Sequence, residues 1–437
     1  MKKILIIFLS RNKYLYEFIR MIYRFFKRYI VLIFYYLLTI FHQKQVLRIK
    51  KKISQKQKIR VGFFLICESI WKYDYLYLLF MQSEIFEPII YICPNITKPI
   101  KIYEDEMSAL YNKMTSKGYN CVNTRVSQMK YLDISKEDLS IIFFTSPWKL
   151  TLKNYSIYKH FFKLTCYVHY GFQTSSLLNI AYNLDTMNLC WKYFVSSKTD
   201  KNNSEKSSFT GSKNIVISGY PGLDPLISPR ETSVNFDLGS RKLIIWAPHH
   251  TVEGVENLLH YSTFLDYYDY FIELSEKYKN EIIIAFKPHP VLITKLFKIW
   301  GIEKTHSYFE KWDNKENRLK IEGDYIDLFH ISSALIHDSG SFIAEYLATR
   351  KPVMFLISNE NIGEEFNSVG RESLKCHYQA RTKKDIDNFI RSVVIDETDN
   401  MQNKRNDFFN KYLLSPNKKL ASQNIFDYIL EQIGSNE

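Results

Sequence analysis

The residues best suited to chemistry are histidines, lysines and serines that follow apolar runs in the sequence. The first group is HYGFQTSS, which begins at His169 at the end of the run LTCYVH. A neutral imidazole at a strand end, followed by Gly171 and a polar turn, can take a proton from a hydroxyl because its unperturbed pKa is about 6.5. His169 is therefore a candidate general base, although a lone histidine can also be purely structural.

Two further groups combine histidine with proline. WAPHHT places His249 and His250 in a polar loop after an apolar run, available either to phosphate and hydroxyl groups or to solvent. In FKPHP two prolines fix the backbone around His289, and Lys287 supplies a point charge suited to phosphate. A lysine and a histidine together at a strand end indicate anion binding rather than core packing.

The most informative group is IHDSGSFIAEYLA. Its pattern predicts a strand that ends at Asp338 and a helix that begins after Ser341. Between them lies a tight turn of Ser339, Gly340 and Ser341. Backbone N–H groups and serine hydroxyls at such a helix start form a cradle for a pyrophosphate, and Glu345 is placed to accept a hydrogen bond from a ribose hydroxyl. The alternative is an ordinary capped turn.

Several common site signatures do not occur in the sequence. Neither GxxxxGK[ST] nor GxGxxG is present, which disfavours P-loop NTPases and Rossmann dehydrogenases. Asp385-Ile386-Asp387 is the only Asp-x-Asp and lies in a predicted solvated helix, so a metal-bridged nucleotide-sugar site is disfavoured. The six cysteines lack zinc spacing, and we expect them to be reduced, as in the cytoplasm.

From residue 58 onward, short apolar runs alternate with helix-length intervals. The runs predict strands, and the chemical groups above lie where these strands end. This alternation is typical of parallel sheets covered on both faces. In the first half we predict strands at Ile59–Cys67, Glu87–Cys93, Ser140–Phe144, Leu164–His169, Lys192–Ser197 and Ile215–Gly219. In the second half we predict strands at Lys242–Pro248, Glu281–Pro290, Ser333–Gly340 and Lys351–Leu356.

A proline-rich break at Gly219–Ser240 separates the two series and indicates a linker. The predicted fold class is therefore α/β, with two doubly wound, Rossmann-like domains facing a cleft, at residues 58–235 and 236–415. Residues 416–437 are predicted to form a helix that crosses back to the first domain. The other helices predicted after the linker are Asn257–Lys279, Asp324–Ile331, Ser341–Ala348, Lys383–Ile395 and Asn406–Leu414.

The formal net charge of +13 is confined to one end of the 437 residues. Residues 1–60 carry sixteen Lys and Arg against one acidic residue, Glu17, whereas the rest of the chain carries 43 basic and 45 acidic residues. A basic end on a near-neutral body indicates a tail or a surface anchor. We therefore expect no nucleic-acid partner.

Residues 1–57 have the pattern of a membrane-associating segment. The uncharged run Tyr29–Phe41 is shorter than the ~18–20 residues that span a bilayer, and a polybasic stretch follows it. Basic residues precede it at helical spacing: Arg20, Arg24, Lys27 and Arg28. These features predict a basic amphipathic helix that lies in, or inserts shallowly into, an anionic membrane surface. There are two alternatives: a membrane-spanning helix whose basic side chains snorkel to the surface, and simple packing of the helix on the body. A signal peptide is disfavoured, because no small-residue cleavage site follows Phe41.

The order and spacing of these groups resemble the CDP-glycerol glycerophosphotransferase family, whose members prime or polymerise teichoic-acid and related phosphopolyol chains. The resemblance spans roughly residues 169–351. It implies the two-domain GT-B fold, peripheral attachment to the cytoplasmic face of the cell membrane, and no metal in the site. It also implies that His169 is the base, that His289 lies near the donor phosphates, and that the serines beside Asp338 contact those phosphates.

The sequence departs from the family pattern at two places. The contiguous His-Gly of the family is here His169-Tyr170-Gly171, and the lysine usual shortly after it is replaced by the Gln173-Thr174 region. The usual Asp-Tyr-Ser-Ser is here Asp-Ser-Gly-Ser, which resembles the Asp-Ser-Gly-Gly loop of the UDP-N-acetylglucosamine 2-epimerases. Both groups of relatives imply the same fold.

The resemblance implies a transferase that moves a glycerol-phosphate or related polyol-phosphate from a CDP-activated donor to a hydroxyl of a lipid-linked or cell-surface polysaccharide acceptor. No cofactor besides the donor substrate is expected. Two alternatives share the fold and the anchor. One is a GT-B glycosyltransferase that uses a nucleotide sugar in capsule or lipopolysaccharide synthesis, and the other is a non-catalytic membrane scaffold.

Overall fold

The computed structural model describes residues 13–228, 236–252, 259–314, 316–321, 323 and 325–434. Some sequence predictions fall on other positions, and these lie outside the described residues. They are the first twelve residues of the N-terminal segment, the middle of the linker at 229–235, the start of the helix predicted from Asn257, the first residue of the helix predicted from Asp324, and the last three residues of the C-terminal helix.

The first domain is built on a sheet of seven parallel strands. Its half of the chain contains β1 Ile59–Leu65, β2 Phe86–Ile92, β3 Cys121–Asn123, β4 Arg125–Ser127, β5 Lys130–Tyr131, β6 Ile141–Phe144, β7 Leu164–Val168, β8 Lys192–Val195 and β9 Ile215–Ile217. The strand order is β3-β2-β1-β6-β7-β8-β9, and β4 and β5 form a separate antiparallel hairpin. The central strands are apolar and buried on both faces, as parallel sheets require.

The second domain is built on six parallel strands. They are β10 Lys242–Ala247, β11 Ile282–Phe286, β12 Arg318–Lys320, β13 Ala334–His337, β14 Val353–Leu356 and β15 Tyr378–Ala380. Their order is β12-β11-β10-β13-β14-β15. In both sheets the order in which the chain adds strands reverses beside the first strand, at β1/β6 and at β10/β13. Doubly wound sheets bind ligands at such switch points. The predicted pair of Rossmann-like domains is confirmed.

Helices cover both faces of the two sheets. The first half contains α1 Lys13–Ser54, α2 Asp74–Gln82, α3 Ile100–Ser116, α4 Ile157–His160, α5 Leu178–Tyr182, α6 Asp185–Leu189, α7 Lys198–Ser207 and α8 Asp224–Ile227. The second half contains α9 Phe264–Lys277, α10 Leu292–Trp300, α11 Ile302–Glu310, α12 Ile326–Ile331, α13 Phe342–Glu345, α14 Ser368–Leu374, α15 Lys383–Asn388, α16 Gln402–Phe408 and α17 Ala421–Ile433. Wider π-helical turns continue α15 to Ile395 and α16 to Leu413.

All ten predicted strands form, with ends that differ by a few residues. The sequence did not predict β3, β12 and β15, which are three-residue strands at sheet edges with mostly half-exposed side chains, so no apolar run marks them. The short β4–β5 hairpin was not predicted either. The predicted linker also differs, because its first part contains α8, which packs against α12 and the 3₁₀ turn Tyr346–Thr349 of the second domain. All six cysteines are unpaired.

The C-terminal helix α17 packs on the first domain. The Phe426 ring lies 5.3 Å from that of Phe80, measured between centroids. The buried carboxylate of Asp224 accepts hydrogen bonds from the backbone N–H groups of Ala421 at 2.9 Å and Ser422 at 2.8 Å. These N–H groups belong to the first turn of α17 and have no partner within the helix, so Asp224 fixes the start of α17 to α8.

The N-terminal helix α1 is continuous over 42 residues and has two different halves. In the second half Tyr35, Leu38, His42 and Ile49 are buried at helical spacing, and His42 Nε2 lies 2.8 Å from the carbonyl oxygen of Phe161. In the first half the large apolar side chains are exposed. By length and composition alone, Phe18–Ser54 could cross a membrane. The second half instead packs on the body, which was one of the predicted alternatives.

We predict that the basic side chains in the first half of α1 attach the protein to anionic membranes. Changing Arg20, Arg24, Lys27 and Arg28 to Gln should weaken binding to phosphatidylserine vesicles by roughly 10²- to 10³-fold, since each contributes about 1 kcal/mol. Vesicle co-sedimentation measures this. The matched control changes Lys113, Lys117, Lys375 and Lys384 to Gln, with the same loss of charge. Equal weakening by both sets would contradict a localised anchor.

Candidate active site

The loops after β7, β10 and β13 meet at a cleft of about 300 Å³ between the two domains. Five of the eleven residues predicted for the site line this cleft: His169, Gly171, His249, Gly340 and Ser341. The first two come from the first domain and the other three from the second. The cleft therefore brings the candidate base of one domain to the candidate phosphate turn of the other.

His169 is held as a neutral, buried imidazole. Its side chain is 5% exposed, and burial lowers its pKa to about 3. Its Nε2 contacts the hydroxyl of Tyr193, which in turn lies 3.5 Å from the carbonyl oxygen of Ala181. Because the Tyr193 hydroxyl donates its own hydrogen to Ala181, it accepts a hydrogen bond from Nε2–H of His169. The unprotonated, basic nitrogen of His169 is then Nδ1. A partner that fixes the tautomer in this way is typical of a general base.

Tyr193 was not predicted from the sequence. It lies inside strand β8, and the apolar run that forms this strand resembles those of the other buried strands. Only the pairing of β7 with β8 brings its hydroxyl to His169. No motif in the sequence carries this information.

The loop that follows His169 is held by the second domain. The Thr174 hydroxyl donates to the Gly340 carbonyl oxygen at 2.6 Å, and the backbone N–H of Asn367 donates to the Thr174 carbonyl oxygen at 2.7 Å. The backbone N–H of Phe172 donates to Glu345 Oε1 at 3.1 Å. These bonds fix the position of the loop relative to the turn at Gly340.

Glu345 joins the two domains. It is 2% exposed, and its second oxygen accepts a hydrogen bond from the Tyr325 hydroxyl at 2.5 Å. Tyr325 in turn accepts a hydrogen bond from Lys72 of the first domain at 3.1 Å. The carboxylate is thus turned toward the first domain, and both of its oxygens have protein partners. Contact with a ribose, which was predicted for Glu345, stays a prediction and requires an exchange of these partners.

Asp338 positions the loop that carries His249. Its carboxylate is fully buried and accepts hydrogen bonds from the backbone N–H groups of His249 at 2.5 Å and Thr263 at 2.6 Å. Burial raises the pKa of Asp338 to about 6, although these donors favour its charged form. Ser339 lies behind the cleft as well, where its N–H donates to Nδ1 of His337 at 3.0 Å.

Gly340 and Ser341 form the part of the predicted turn that faces the cleft. A Cβ atom at Gly340 would lie 3.0 Å from the Tyr261 ring, so any other residue requires the ring to move by a few tenths of an ångström. The helix predicted over Ser341–Ala348 is a single α-turn, α13, followed by a tighter 3₁₀ turn. Because so few peptide dipoles are aligned, local N–H and hydroxyl groups rather than a long helix dipole are available to a phosphate.

His249, His250 and His289 form a cluster at the second-domain side of the cleft. The His250 ring centroid lies 4.2 Å from those of His249 and His289. Burial, together with the neighbouring positive charges, lowers the pKa of His289 to about 3 and that of His250 to about 4. Lys287 and Lys295 contribute to this effect at His289. The cluster is therefore uncharged beside two cationic side chains.

The donor chemistry of this cluster fits an anion better than a metal ion. Ligand atoms of the three histidines lie within 4.8 Å of one another, a spacing found in metal sites. However, Nδ1 of His289 accepts the backbone N–H of Val291 at 3.2 Å, so its ring proton is on Nε2. A protonated Nε2 donates a hydrogen bond and cannot ligate a metal, and nearby lysines disfavour a cation.

One family of known proteins matches the part of the chain that carries these residues. The family described as CDP-Glycerol:Poly(glycerophosphate) glycerophosphotransferase matches residues 167–431, from β7 into α17. This segment is more than half of the chain and contains every residue predicted for the site. No curated protein sequence matches the chain.

Solved structures show the same fold at low sequence identity. The wall teichoic acid polymerase TagF, solved as a histidine variant, aligns with a TM-score of 0.57 at 15% identity over 90% of this chain and 97% of its own. A putative UDP-N-acetylglucosamine 2-epimerase from Listeria monocytogenes aligns with 0.51 at 16%, over 87% and 98%. S. aureus MnaA, solved with UDP, aligns with 0.52 at 14%, over 86% and 97%.

These structures support the two-domain GT-B-type fold, which both resemblances in the sequence imply. The family match covers the strand-end histidine, the KPHP group and the Asp-Ser-Gly-Ser turn in one segment. The resemblance found in the sequence is thereby confirmed. The chain belongs to the CDP-glycerol:poly(glycerophosphate) glycerophosphotransferase family and is an enzyme of that type.

Proposed function

We propose that this enzyme transfers a glycerol-phosphate, or a related polyol-phosphate, from a CDP-activated donor to a hydroxyl of a lipid-linked or cell-surface polysaccharide acceptor at the cytoplasmic membrane face. The observation that carries the proposal is the shared cleft, in which neutral His169 faces His249 and the Gly340–Ser341 turn. The family match supports this chemistry. A TagF structure soaked with CDPG supports the donor.

In the proposed reaction His169 takes the proton of the acceptor hydroxyl. The acceptor oxygen attacks the phosphorus that bears the polyol, and the bond from that phosphorus to the oxygen bridging to CMP breaks. CMP leaves with the bonding electron pair. Such phosphoryl transfers depend on positioning and on stabilisation of charge rather than on covalent chemistry by the protein.

The second domain holds the donor pyrophosphate in this proposal. Nε2–H of His289 and the Lys287 ammonium donate to its oxygens while negative charge moves onto CMP. Backbone N–H groups of Gly340 and Ser341 contact the same phosphates, and Asp338 acts indirectly by fixing the His249 loop. No metal ion or cofactor is part of the proposal.

A second candidate is a glycosyltransferase that uses a nucleotide sugar. Two observations favour it, namely the Asp-Ser-Gly-Ser turn and the structural likeness to UDP-N-acetylglucosamine 2-epimerases. It shares the cleft with the leading proposal and differs in the donor. Family membership favours either enzyme over the scaffold alternative.

The donor determines which nucleotides stabilise the folded protein. At a concentration about 100 times its Kd, the correct donor should add about 2.7 kcal/mol to the free energy of unfolding and raise the Tm by several degrees. We expect CDP-glycerol or CDP-ribitol to do so in a thermal-shift assay, and UDP-sugars and CMP-sugars not to. A rise with uridine nucleotides alone would instead support the glycosyltransferase.

The two catalytic histidines should differ in their kinetic effects. His169→Ala should lower kcat for CMP release by about 10²- to 10⁴-fold, with the donor-induced Tm shift unchanged, because only proton removal is lost. His289→Ala should also weaken donor binding. The matched control is His306→Ala, an exposed histidine on α11 that should leave both quantities unchanged. A His169→Ala enzyme with near-normal kcat would rule out this base.

The pH dependence of kcat/KM reports the free enzyme. Since burial lowers the pKa of His169 to about 3, the imidazole is already unprotonated throughout pH 5–8. We therefore expect no loss of kcat/KM from His169 protonation as the pH falls from 8 to 5. An acid limb with a midpoint near the ordinary histidine value of about 6.5, absent in His169→Ala, would contradict a buried neutral base.

A further inference from the structure

Two buried histidines lie behind the cleft in the second domain and take no part in the proposed chemistry. His337 ends β13 and His377 immediately precedes β15, and each side chain is at most 1% exposed. Their ring centroids lie 5.3 Å apart. Burial lowers the pKa of both, to about 3 at His377, so both imidazoles are neutral and each carries a single N–H group.

The hydrogen bonds of the two rings determine which nitrogen holds the proton. Nδ1 of His337 accepts the backbone N–H of Ser339 at 3.0 Å, so the proton of this ring is on Nε2. Nδ1 of His377 lies 2.8 Å from the carbonyl oxygen of Ser373 and donates to it, so Nε2 of this ring is unprotonated. One ring therefore offers a donor and the other offers an acceptor.

Neither Nε2 atom has a hydrogen-bond partner among the described residues. Buried donors and acceptors are nearly always paired, because an unpaired one has lost its hydrogen bonds to water. At a centroid separation of 5.3 Å, two ring nitrogens that face each other are about 3 Å apart, which is the length of a hydrogen bond. A small rotation of one ring therefore pairs the donor of His337 with the acceptor of His377.

His337 is tied to the first of the two contacts that hold the loop after His169. Its ring fixes the backbone of Ser339 in the turn that follows β13. The next residue in this turn, Gly340, accepts the Thr174 hydroxyl with its carbonyl oxygen at 2.6 Å. The place at which the turn meets the loop therefore depends on the His337 ring.

His377 is tied to the second contact through α14. Ser373, which accepts its Nδ1–H, lies in the last turn of this helix, and Asn367 is the N-cap at the other end. The Asn367 side chain donates to the carbonyl oxygen of Gln173 at 2.9 Å, and its backbone N–H donates to that of Thr174 at 2.7 Å. Because α14 has only seven residues, a shift at its end also moves its start.

We propose that His337 and His377 are positioning residues for the transfer, joined through their Nε2 atoms, and that they set the distance between the Gly340 turn and α14. The inference rests on the proposed function for the reaction that the pair serves, but the pairing is testable without catalysis. Since both contacts hold the same loop, a change in their separation moves His169 relative to the donor. Both rings are buried behind the cleft, so neither contacts the substrate.

The pairing is tested by nuclear magnetic resonance on the full chain with isotope-labelled histidine and no ligand. We expect His337 as the Nε2–H tautomer and His377 as the Nδ1–H tautomer. In His377→Gln the side-chain oxygen takes the place of the Nε2 acceptor, whereas the side chain of His377→Asn is too short to reach His337. The Nε2–H proton resonance of His337 should therefore move upfield in His377→Asn and stay close to its original position in His377→Gln.

The positioning role is tested by the kinetics of CMP release. His377→Asn should lower kcat by about 10- to 100-fold, because His169 is displaced, and should leave the donor-induced Tm shift unchanged, because no donor contact is lost. His377→Gln should restore most of kcat. The matched control is His160→Asn, which changes a buried histidine of α4 whose Nε2 lies 2.7 Å from the carbonyl oxygen of Asn154, and it should leave kcat unchanged.

A second variant keeps the test valid if His377→Asn does not fold, as judged by circular dichroism. His337→Asn keeps an acceptor for the Ser339 N–H and loses the donor at Nε2, so it should lower kcat by a similar factor. The double variant should lower kcat no further than either single variant, because both changes break the same hydrogen bond.

The inference is overturned if the His337 resonance moves equally in His377→Gln and His377→Asn, if His160→Asn lowers kcat as much as His377→Asn, or if the two Asn effects multiply in the double variant. These outcomes are separate from failure of the proposed function. An enzyme that shows the pairing by magnetic resonance but releases no CMP from any CDP-polyol would refute the function and keep the histidine pair.

Discussion

The site depends on hydrogen bonds that one loop makes outside its own domain. Backbone groups of a loop need partners once they are shielded from water, and the loop after β7 finds several of them in the second domain. The bonds from Thr174 to Gly340 and from Asn367 to Thr174 set the two halves of the cleft at one separation. The base and the phosphate turn are therefore aligned by the same contacts that join the domains.

Burial determines the charge state within this frame. His169 and His289 are neutral because desolvation disfavours their charged forms, whereas the charges that remain nearby are lysines. The carboxylate of Asp338 lies behind the His249 loop and already accepts hydrogen bonds from the backbone N–H groups of His249 and Thr263. The negative charge of a pyrophosphate would be the missing counterpart, and its arrival would raise the pKa of the adjacent imidazoles.

Much of this architecture was predictable because buried parallel strands appear in the sequence as continuous apolar runs. The polar groups at their ends could be placed at one edge for the same reason. The edge strands, such as β12, lack such a run and were missed. Partners that depend on tertiary contact were also missed, as with Tyr193 beside His169. Glu345 was placed in the right helix, but the domain interface rather than the helix determines where its carboxylate points.

The continuity of α1 has a mechanical consequence. From Lys27, whose ammonium lies 5.4 Å from the centroid of the Phe209 ring on the body, to Lys13 the helix extends about 21 Å at 1.5 Å per residue, and it has no proline or glycine at which to bend. If the exposed half of α1 lies on a membrane, the tilt of the helix therefore determines the direction in which the cleft opens. For the membrane-bound acceptor proposed above, the folded helix therefore sets the orientation of the cleft, and an encounter requires only lateral diffusion in the membrane plane.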